Sequence, residues 1–196
     1  DHKQYGLLST YKRKLADNLN FLAGLDLRYY EGEHFNKVND LLGGQYLVDA
    51  RSNSITSPYG NINNPNGHIT TDNKCNNDYR YEFGSEGLYA QTEYVKDALS
   101  AFVGLAVNNT SNRRVDYFNY LNSDPNQTSK WINFFGYQAK GGANYNLDNQ
   151  NNIFANVGYI QRAPLVSSIF LNKKNDINPN AIPEKIFNYE LCYGFP

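Results

Sequence analysis

Residues 187–195, which read FNYELCYGF, alternate strictly between large apolar residues and small or polar ones. The apolar positions are Phe187, Tyr189, Leu191, Tyr193 and Phe195. Successive side chains of a β-strand point to opposite faces, so this period of two predicts a strand with one wholly apolar face. A protein core, a second chain and a lipid bilayer would each accept such a face. The other strands have to distinguish between them.

The same alternation recurs in three further segments, residues 19–30, 99–108 and 135–147. Less regular alternation predicts three more strands, at residues 5–14, 83–94 and 152–162. The apolar faces of the four regular segments carry no charge, and the charges within them fall on the opposite faces, at Asp26, Arg28, Lys140 and Glu190. The sequence therefore predicts an all-β chain of about seven strands.

The connections between these strands alternate in length. Short polar turns are predicted at residues 16–18, 95–97 and 148–151. Long loops are predicted at residues 31–82, 112–133 and 163–184. All short turns then fall at one end of an antiparallel up-and-down meander and all long loops at the other, as in an outer-membrane β-barrel.

Strand length and charge both favour lipid as the partner of the apolar faces. The predicted strands have about ten to fifteen residues, whereas strands of soluble proteins average nearer five or six. An Arg or Lys on a lipid face costs about 2–4 kcal/mol near the bilayer centre, which explains faces without charge. A soluble β-rich carbohydrate-binding or adhesin domain, with these faces as its core, is the alternative. A complete small porin would need an even number of strands.

Composition excludes several classes of protein. The 196 residues carry a formal net charge of -1, which gives no general attraction to nucleic acid. The sequence has no run of about 18 apolar residues, so a membrane-spanning helix is excluded. His2, His34 and His68 lie outside any recognisable catalytic or metal-binding motif and are expected to be exposed. We therefore expect no enzyme activity, metal site or cofactor.

Four short motifs follow one another near the end of the chain. They are RAP at 162–164, NPN at 178–180, PEK at 183–185 and YEL at 189–191. In this order the set resembles TonB-dependent outer-membrane receptors. Three upstream segments resemble receptors of this family from Bacteroidetes: LLGGQY at 41–46, VDYFNYLNSDP at 115–125 and GGANYNLDNQNNIFANVGY at 141–159. The resemblance covers nearly all of residues 1–196.

This resemblance implies a section of a transmembrane β-barrel of about twenty-two strands, without the plug domain. The odd number of predicted strands agrees with a section, since a bacterial barrel closes with an even number. The implied location is the bacterial outer membrane, and the implied activity is uptake of a scarce nutrient: a siderophore, cobalamin or an oligosaccharide. The implied partners are the plug and other strands of the same receptor, the TonB complex, outer-membrane lipid and a surface lipoprotein.

Under this interpretation, six side chains are predicted to face the lumen or its outer mouth: Arg28, Tyr30, Arg113, Arg114, Lys140 and Arg162. Guanidinium groups bind carboxylates and phosphates in a fixed geometry, which makes the arginines candidates for ligand binding. Tyr117 and Trp131, in the second long loop, are candidates for stacking on a sugar or aromatic ligand, and packing within the loop is the alternative. The alternative is that the basic residues pair with Asp26, Glu93, Glu190 or plug residues and only stabilise the lumen.

Overall fold

The structure, a computed structural model, describes residues 1–48, 61–64 and 66–195. The long strands are β1 (His2–Ala16), β2 (Leu19–Lys37), β5 (Lys74–Lys96), β6 (Leu99–Asp116), β7 (Ile132–Asn146), β8 (Asn152–Arg162) and β11 (Glu184–Gly194). Short strands in the loops are β3 (Leu47–Val48), β4 (His68–Ile69), β9 (Phe170–Leu171) and β10 (Asp176–Ile177). The loops also contain α1 (Val166–Ile169) and a 3-10 turn (Pro125–Gln127).

The seven long strands form one antiparallel sheet in the order β1-β2-β5-β6-β7-β8-β11. Each long strand pairs with the next long strand in the chain, so the sheet is an up-and-down meander. The three short connections lie at one end of the sheet and the three long loops at the other. This confirms the predicted all-β, up-and-down fold. No helix among the described residues has the length and apolar character needed to cross a bilayer.

Several strands extend further into the long loops than the alternation indicates. β2 continues to Lys37 and β5 begins at Lys74, so both enter the predicted loop 31–82. The outer face of these extensions is mostly charged, at Glu31, Glu33, Arg80 and Glu82, because the strands have passed beyond the apolar part of the sheet. A period of two in hydrophobicity then disappears although the backbone pairing continues. Residues 49–60 and 65 of that loop lie outside the described residues, as does Pro196.

The apolar sides of all seven strands share one face of the sheet, which we call the outer face. The face is uncovered: the side chains of Val103 and Leu191 are 60% and 75% exposed. Leu25 and Tyr137 are not buried either. The soluble-domain alternative required a second layer packed on this face, and the described residues form no such layer. The opposite side of the sheet is called the inner face below.

Polar residues end the apolar band of the outer face on the side of the long loops. They are Lys3, Glu31, Glu86, Asn109, Asn133, Gln161 and Lys185. On β6 the band runs from Leu99 to Val107, about 27 Å along the strand. With the tilt derived below, this becomes about 22 Å, close to the ~25 Å apolar band of outer-membrane barrels.

The upper edge of the band descends across the sheet. On β1 the last apolar outer residue is Tyr5, which pairs with Tyr29, whereas on β11 it is Phe187. The ladder from Phe187 leads through Tyr159, Ala139, Leu105, Ala90 and Ala23. Ala23 lies about six residues before Tyr29, so the edge falls about one residue per strand. With about 3.3 Å per residue and about 4.8 Å between strands, the strands are tilted by about 35° from the normal to the band.

The few fully buried side chains lie at the long-loop end of the sheet. Val38, Ile69 and Cys75 form one cluster within the first long loop. Phe134, Ile169 and Phe170 form the second, in which the third long loop packs on the inner face of β7. The third loop therefore folds back over the sheet and does not extend away from it.

Glycines let side chains from neighbouring strands lie against the inner face. The Tyr89 ring crosses Gly24, and its hydroxyl lies 2.6 Å from Thr10 Oγ1 on β1. At four further places an asparagine Oδ1 occupies the space where the Cβ of a directly paired residue would lie. The pairs are Asn108 with Gly136, Asn156 with Gly142, Asn188 with Gly158 and Asn152 with Gly194.

We expect Gly24→Ala to destabilise the sheet, because the added Cβ would overlap both the Tyr89 ring and the backbone oxygen of Ser9. Such overpacking costs about 1–3 kcal/mol. Thermal unfolding followed by circular dichroism measures the effect. Gly6→Ala is the matched control on the same face, since the nearest atom to its new Cβ is a backbone oxygen at 3.5 Å. Equal unfolding temperatures for the two variants would contradict this role of Gly24.

Candidate functional site

Two cavities lie on the inner face of the sheet. The upper cavity, of about 800 Å³, lies between the long-loop ends of β2, β5 and β6, the start of the second long loop and the third long loop. Its lining includes Tyr79, Tyr81, Arg114, Asp116, Asn119 and Phe170. The lower cavity, of about 470 Å³, lies nearer the short turns and is lined by Glu93, Phe102, Lys140 and Asn156 among others.

A buried ion pair lies in the wall of the upper cavity. Arg114 Nη1 donates to Asp116 Oδ2 at 2.7 Å, and both side chains are at least nine-tenths buried. The Arg114 guanidinium also lies over the ring of Tyr79, 4.4 Å from its centroid. Arg114 and Asp116 are two residues apart on β6 and therefore point to the same face. The charge of Arg114 is thus neutralised within the wall.

Asp116 also ends β6. Its Oδ1 accepts hydrogen bonds from the backbone N–H groups of Phe118 and Asn119, at 3.0 and 2.9 Å. Its Oδ2 accepts a further bond from Asn119 Nδ2 at 2.8 Å. An Asp side chain that binds backbone N–H groups two or three residues later favours a turn. One carboxylate therefore stops the strand, starts the second loop and holds Arg114.

Asn175 connects the third long loop to the second. Its Oδ1 accepts a hydrogen bond from Arg114 Nη1 at 3.2 Å. Its Nδ2 donates to the backbone oxygens of Asn126 and Gln127, at 2.9 and 2.7 Å. Asn175 is buried, so these bonds are shielded from water. The two loops are thereby held together directly above the ion pair.

Apolar contacts hold the third loop on the inner face. Ile169 is fully buried and packs with Phe134 and Phe170. Tyr81 packs against this cluster, and its hydroxyl donates to Asn112 Oδ1. Burial raises the pKa of Tyr81 to about 12, so this hydroxyl stays protonated as a donor. The roof of the upper cavity is therefore a packed part of the protein.

Four side chains form a row across β1, β2, β5 and β6. The rings of His2 and His34 meet edge to face at 5.2 Å, and His34 stacks on Tyr79 at 5.1 Å. Arg114 completes the row on Tyr79. Burial, followed by the nearby His2, lowers the pKa of His34. The expectation that His34 is exposed was wrong, because β2 continues past residue 31 and carries it into the half-buried inner face.

Four of the predicted residues lie on the inner face outside the upper cavity. Arg28 forms a two-pronged ion pair with Asp26, at 2.9 and 2.6 Å. Tyr30 Oη lies 2.5 Å from His2 Nδ1. Lys140 lies in the lower cavity, 6.0 Å from the centroid of the Phe102 ring.

Arg162 is the fourth of these residues. Its Nε donates to Glu184 Oε2 at 2.8 Å, across the first rung between β8 and β11. The pair therefore closes the base of the third long loop.

Arg113 and Trp131 lie on the outer side of the sheet, beyond the apolar band. Arg113 pairs with Glu82, which also accepts a bond from Arg80 at 3.0 Å. The Arg113 guanidinium lies 4.6 Å from the centroid of the Trp131 ring. Because β-strand side chains alternate, Arg113 and Arg114 must point to opposite faces, and only Arg114 faces inward.

Tyr117 lies just beyond β6, and its backbone N–H donates to the carbonyl of Asp78 at 3.0 Å. Burial raises the pKa of its hydroxyl. Of the eight predicted residues, only Arg114 lines the upper cavity.

The structure adds Asp116, Asn119, Asn175 and His34 to the site. Arg114 and Asp116 are two residues apart in the sequence and carry opposite charges. This spacing could have indicated an ion pair on one face of β6. The contacts of Asn175 depend on a loop that returns over the sheet, and no local pattern signals that return. Among the described residues, no group of three or more His, Cys, Asp or Glu side chains could hold a metal ion.

The fold and the cavities together define the class of protein. A tilted antiparallel meander with a lipid-width apolar outer face, a polar inner face and inward-folded long loops is the wall of an outer-membrane type β-barrel. A family model described as TonB dependent receptor-like, beta-barrel matches residues 1–195. The chain belongs to this family. No curated protein and no solved structure matches the chain significantly.

The family to which the chain belongs indicates its general activity and partners. The family is one of bacterial outer-membrane transporters and not of enzymes. Its receptors in general contain a plug domain and interact with TonB. The predicted receptor barrel is therefore confirmed at the level of the family.

We expect Asp116→Ala to loosen both loops, because Arg114 would remain buried without its carboxylate and the turn after β6 would lose its acceptor. Breaking a buried pair in this way costs about 3–5 kcal/mol. Limited proteolysis of residues 163–183 measures the loosening. Asp26→Ala is the control, since its partner Arg28 is mostly exposed and solvent screens the pair. Wild-type cleavage rates in Asp116→Ala would refute this role.

We expect the row around His34 to make stability depend on pH. Folding lowers the pKa of His34. The contribution of neutral His34 to the free energy of unfolding is therefore complete above its usual pKa of about 6.5 and is lost as the pH falls below that value. The His34→Phe variant keeps a ring on Tyr79 without a titrating group. Its unfolding temperature should fall less than that of the wild type between pH 7.5 and 5.5. His68→Phe, which removes a histidine away from this row, should behave like the wild type, and an identical acid response of His34→Phe would exclude the effect.

Proposed function

We propose that this chain is a section of the barrel wall of a TonB-dependent transporter that takes up a scarce nutrient. The nutrient would be a siderophore, cobalamin or an oligosaccharide. The observation that carries the proposal is the upper cavity, which the third long loop closes on the inner face at the end where the long loops lie. In an outer-membrane barrel the long loops are extracellular. A nutrient arriving from outside would therefore meet this cavity first.

The edges of the sheet support the presence of further barrel strands. β1 and β11 are the edge strands, and each offers a row of backbone groups along one side. Unpaired backbone groups are costly within the hydrocarbon of a membrane. We propose that other strands of the same receptor pair with β1 and β11, and that the plug domain lies against the inner face and the lower cavity.

The resemblance to receptors from Bacteroidetes supports two further parts of the proposal. The receptor would be of the Bacteroidetes type, and a surface lipoprotein would cover its extracellular mouth. Energy would come from the TonB complex acting on the plug. These parts rest on the sequence motifs and on the general properties of the family.

Growth on limiting nutrients tests the function. A strain that lacks the receptor should fail to grow when one of the three nutrient classes is limiting, and a strain that lacks TonB should show the same defect. The full-length receptor should restore growth in the first strain. Normal growth of the receptor-deficient strain on all three classes would reject the proposal.

We expect Arg162→Ala to lower uptake by the full-length receptor, because the ion pair that closes the base of the third loop is lost. The exchange variant Arg162→Glu with Glu184→Arg should restore uptake if the pair positions the loop. Uptake that stays low in the exchange variant would instead indicate contact between Arg162 and the ligand. Wild-type uptake and affinity in Arg162→Ala would exclude both roles.

A further inference from the structure

We infer that the upper cavity binds an uncharged ligand rich in hydroxyl groups, such as an oligosaccharide, and does not bind an anionic metal chelate. This inference rests on the proposed function and names the ligand class of that site. It follows from three properties of the lining: neutralised charge, abundant amide groups and one buried acceptor that lacks a donor.

The charged groups of the lining are already used within the protein. Arg114 is bound by Asp116 and lies on Tyr79, with only 7% of its side chain exposed. The Asp78 side chain points to the outer side of β5, where its carboxylate accepts two hydrogen bonds from Lys74, at 3.0 and 2.9 Å. Binding an anion at Arg114 would require breaking a buried pair, which is strongly unfavourable. The fixed charge of the cavity therefore gives an anionic ligand little attraction.

Lys173 is the exception among the charged residues of the lining. It is exposed on the third loop, and no ion pair joins it to another described residue. A single exposed ammonium group stays hydrated and is screened by salt, so it contributes little to affinity. The Lys173→Gln variant tests whether this ammonium group takes part in binding an anionic ligand.

Amide and hydroxyl groups make up much of the polar lining, at Asn36, Asn76, Asn77, Asn119, Asn172 and Ser167. An amide both donates and accepts hydrogen bonds, and a sugar hydroxyl does the same. Such a lining can replace its hydrogen bonds to water with hydrogen bonds to a ligand, and neither partner needs to carry a charge. Phe118 and Phe170 add apolar surface, as is usual in ligand pockets.

Asn119 supplies the most specific observation. Its backbone N–H and its Nδ2 both donate to Asp116, which fixes the orientation of the amide. Its Oδ1 is buried and has no hydrogen-bond partner within the described part of the chain. A buried acceptor without a donor is costly, and a ligand hydroxyl would supply the missing donor once a local shift of the second long loop opens this oxygen to the cavity. A carboxylate or phenolate ligand would instead place an acceptor against this oxygen.

Calorimetric titration of the purified full-length receptor in detergent tests the inference. The probes are maltoheptaose, cellohexaose and a fructo-oligosaccharide as uncharged ligands, a ferric tricatecholate as anionic chelate, and cyanocobalamin. We expect one of the oligosaccharides to bind with an affinity that is unchanged between about 50 and about 500 mM salt. Binding of the chelate or of cyanocobalamin alone, or of none of the oligosaccharides, would overturn the inference.

Three variants locate the binding in the upper cavity. Asn119→Leu should weaken oligosaccharide binding by about threefold to tenfold, the value of one hydrogen bond. Asn180→Leu, the matched loss of an exposed loop amide outside the cavity, should bind like the wild type. If Asn119→Leu does not fold, Ser167→Trp, which fills the cavity from its exposed roof, should abolish binding. Wild-type binding in Ser167→Trp would overturn the inference.

Uptake separates failure of this inference from failure of the proposed function. TonB-dependent uptake of the ferric chelate, weakened by Lys173→Gln, would reject the ligand class and leave the transporter proposal intact. Only normal growth of the receptor-deficient strain on every nutrient class would reject the transporter proposal.

Discussion

A strand within hydrocarbon must pair all its backbone polar groups with its neighbours and must keep charge off its lipid side. This constraint accounts for most of the sheet. It explains why strands are long and paired in register, why Arg28 and Lys140 point inward, and why the outer face ends at polar residues on every long strand. It also explains the descent of that edge by about one residue per strand, because tilted strands cross a flat membrane at successively shifted positions.

The constraint determines what the sequence reveals. Inside the band, one face is apolar and the other is not, so β7, β8 and β11 are predicted to within a few residues of their observed bounds. Beyond the band, the extensions of β2 and β5 have a mostly charged outer face and give no clear periodic signal. Extending the alternation of β6 would have assigned Arg113 to the outer face and Arg114 to the inner. The contacts of Asn175 join residues 61 positions apart, as in its bond with Arg114, and local patterns carry no information about them.

The upper cavity is stabilised by different interactions from those that shape the sheet below it. Its wall depends on one carboxylate, Asp116, which binds Arg114, ends β6 and orients Asn119. Its roof depends on apolar burial of Ile169 and on Asn175. Hydrogen bonds and packing, and not lipid, therefore determine the shape and polarity of the site. The loops can differ in ligand preference while the wall remains subject to the same membrane constraint.

The paired glycines and asparagines of the inner face have a consequence for passage along it. At each of the four pairs, the amide oxygen fills the place of a neighbouring side chain, so the polar group lies at the level of the backbone. Amide groups therefore lie close to the backbone at these positions, although the Phe102 ring also lies over Gly142. A polar group held at the level of the backbone can exchange one weak hydrogen bond for another without moving a long side chain.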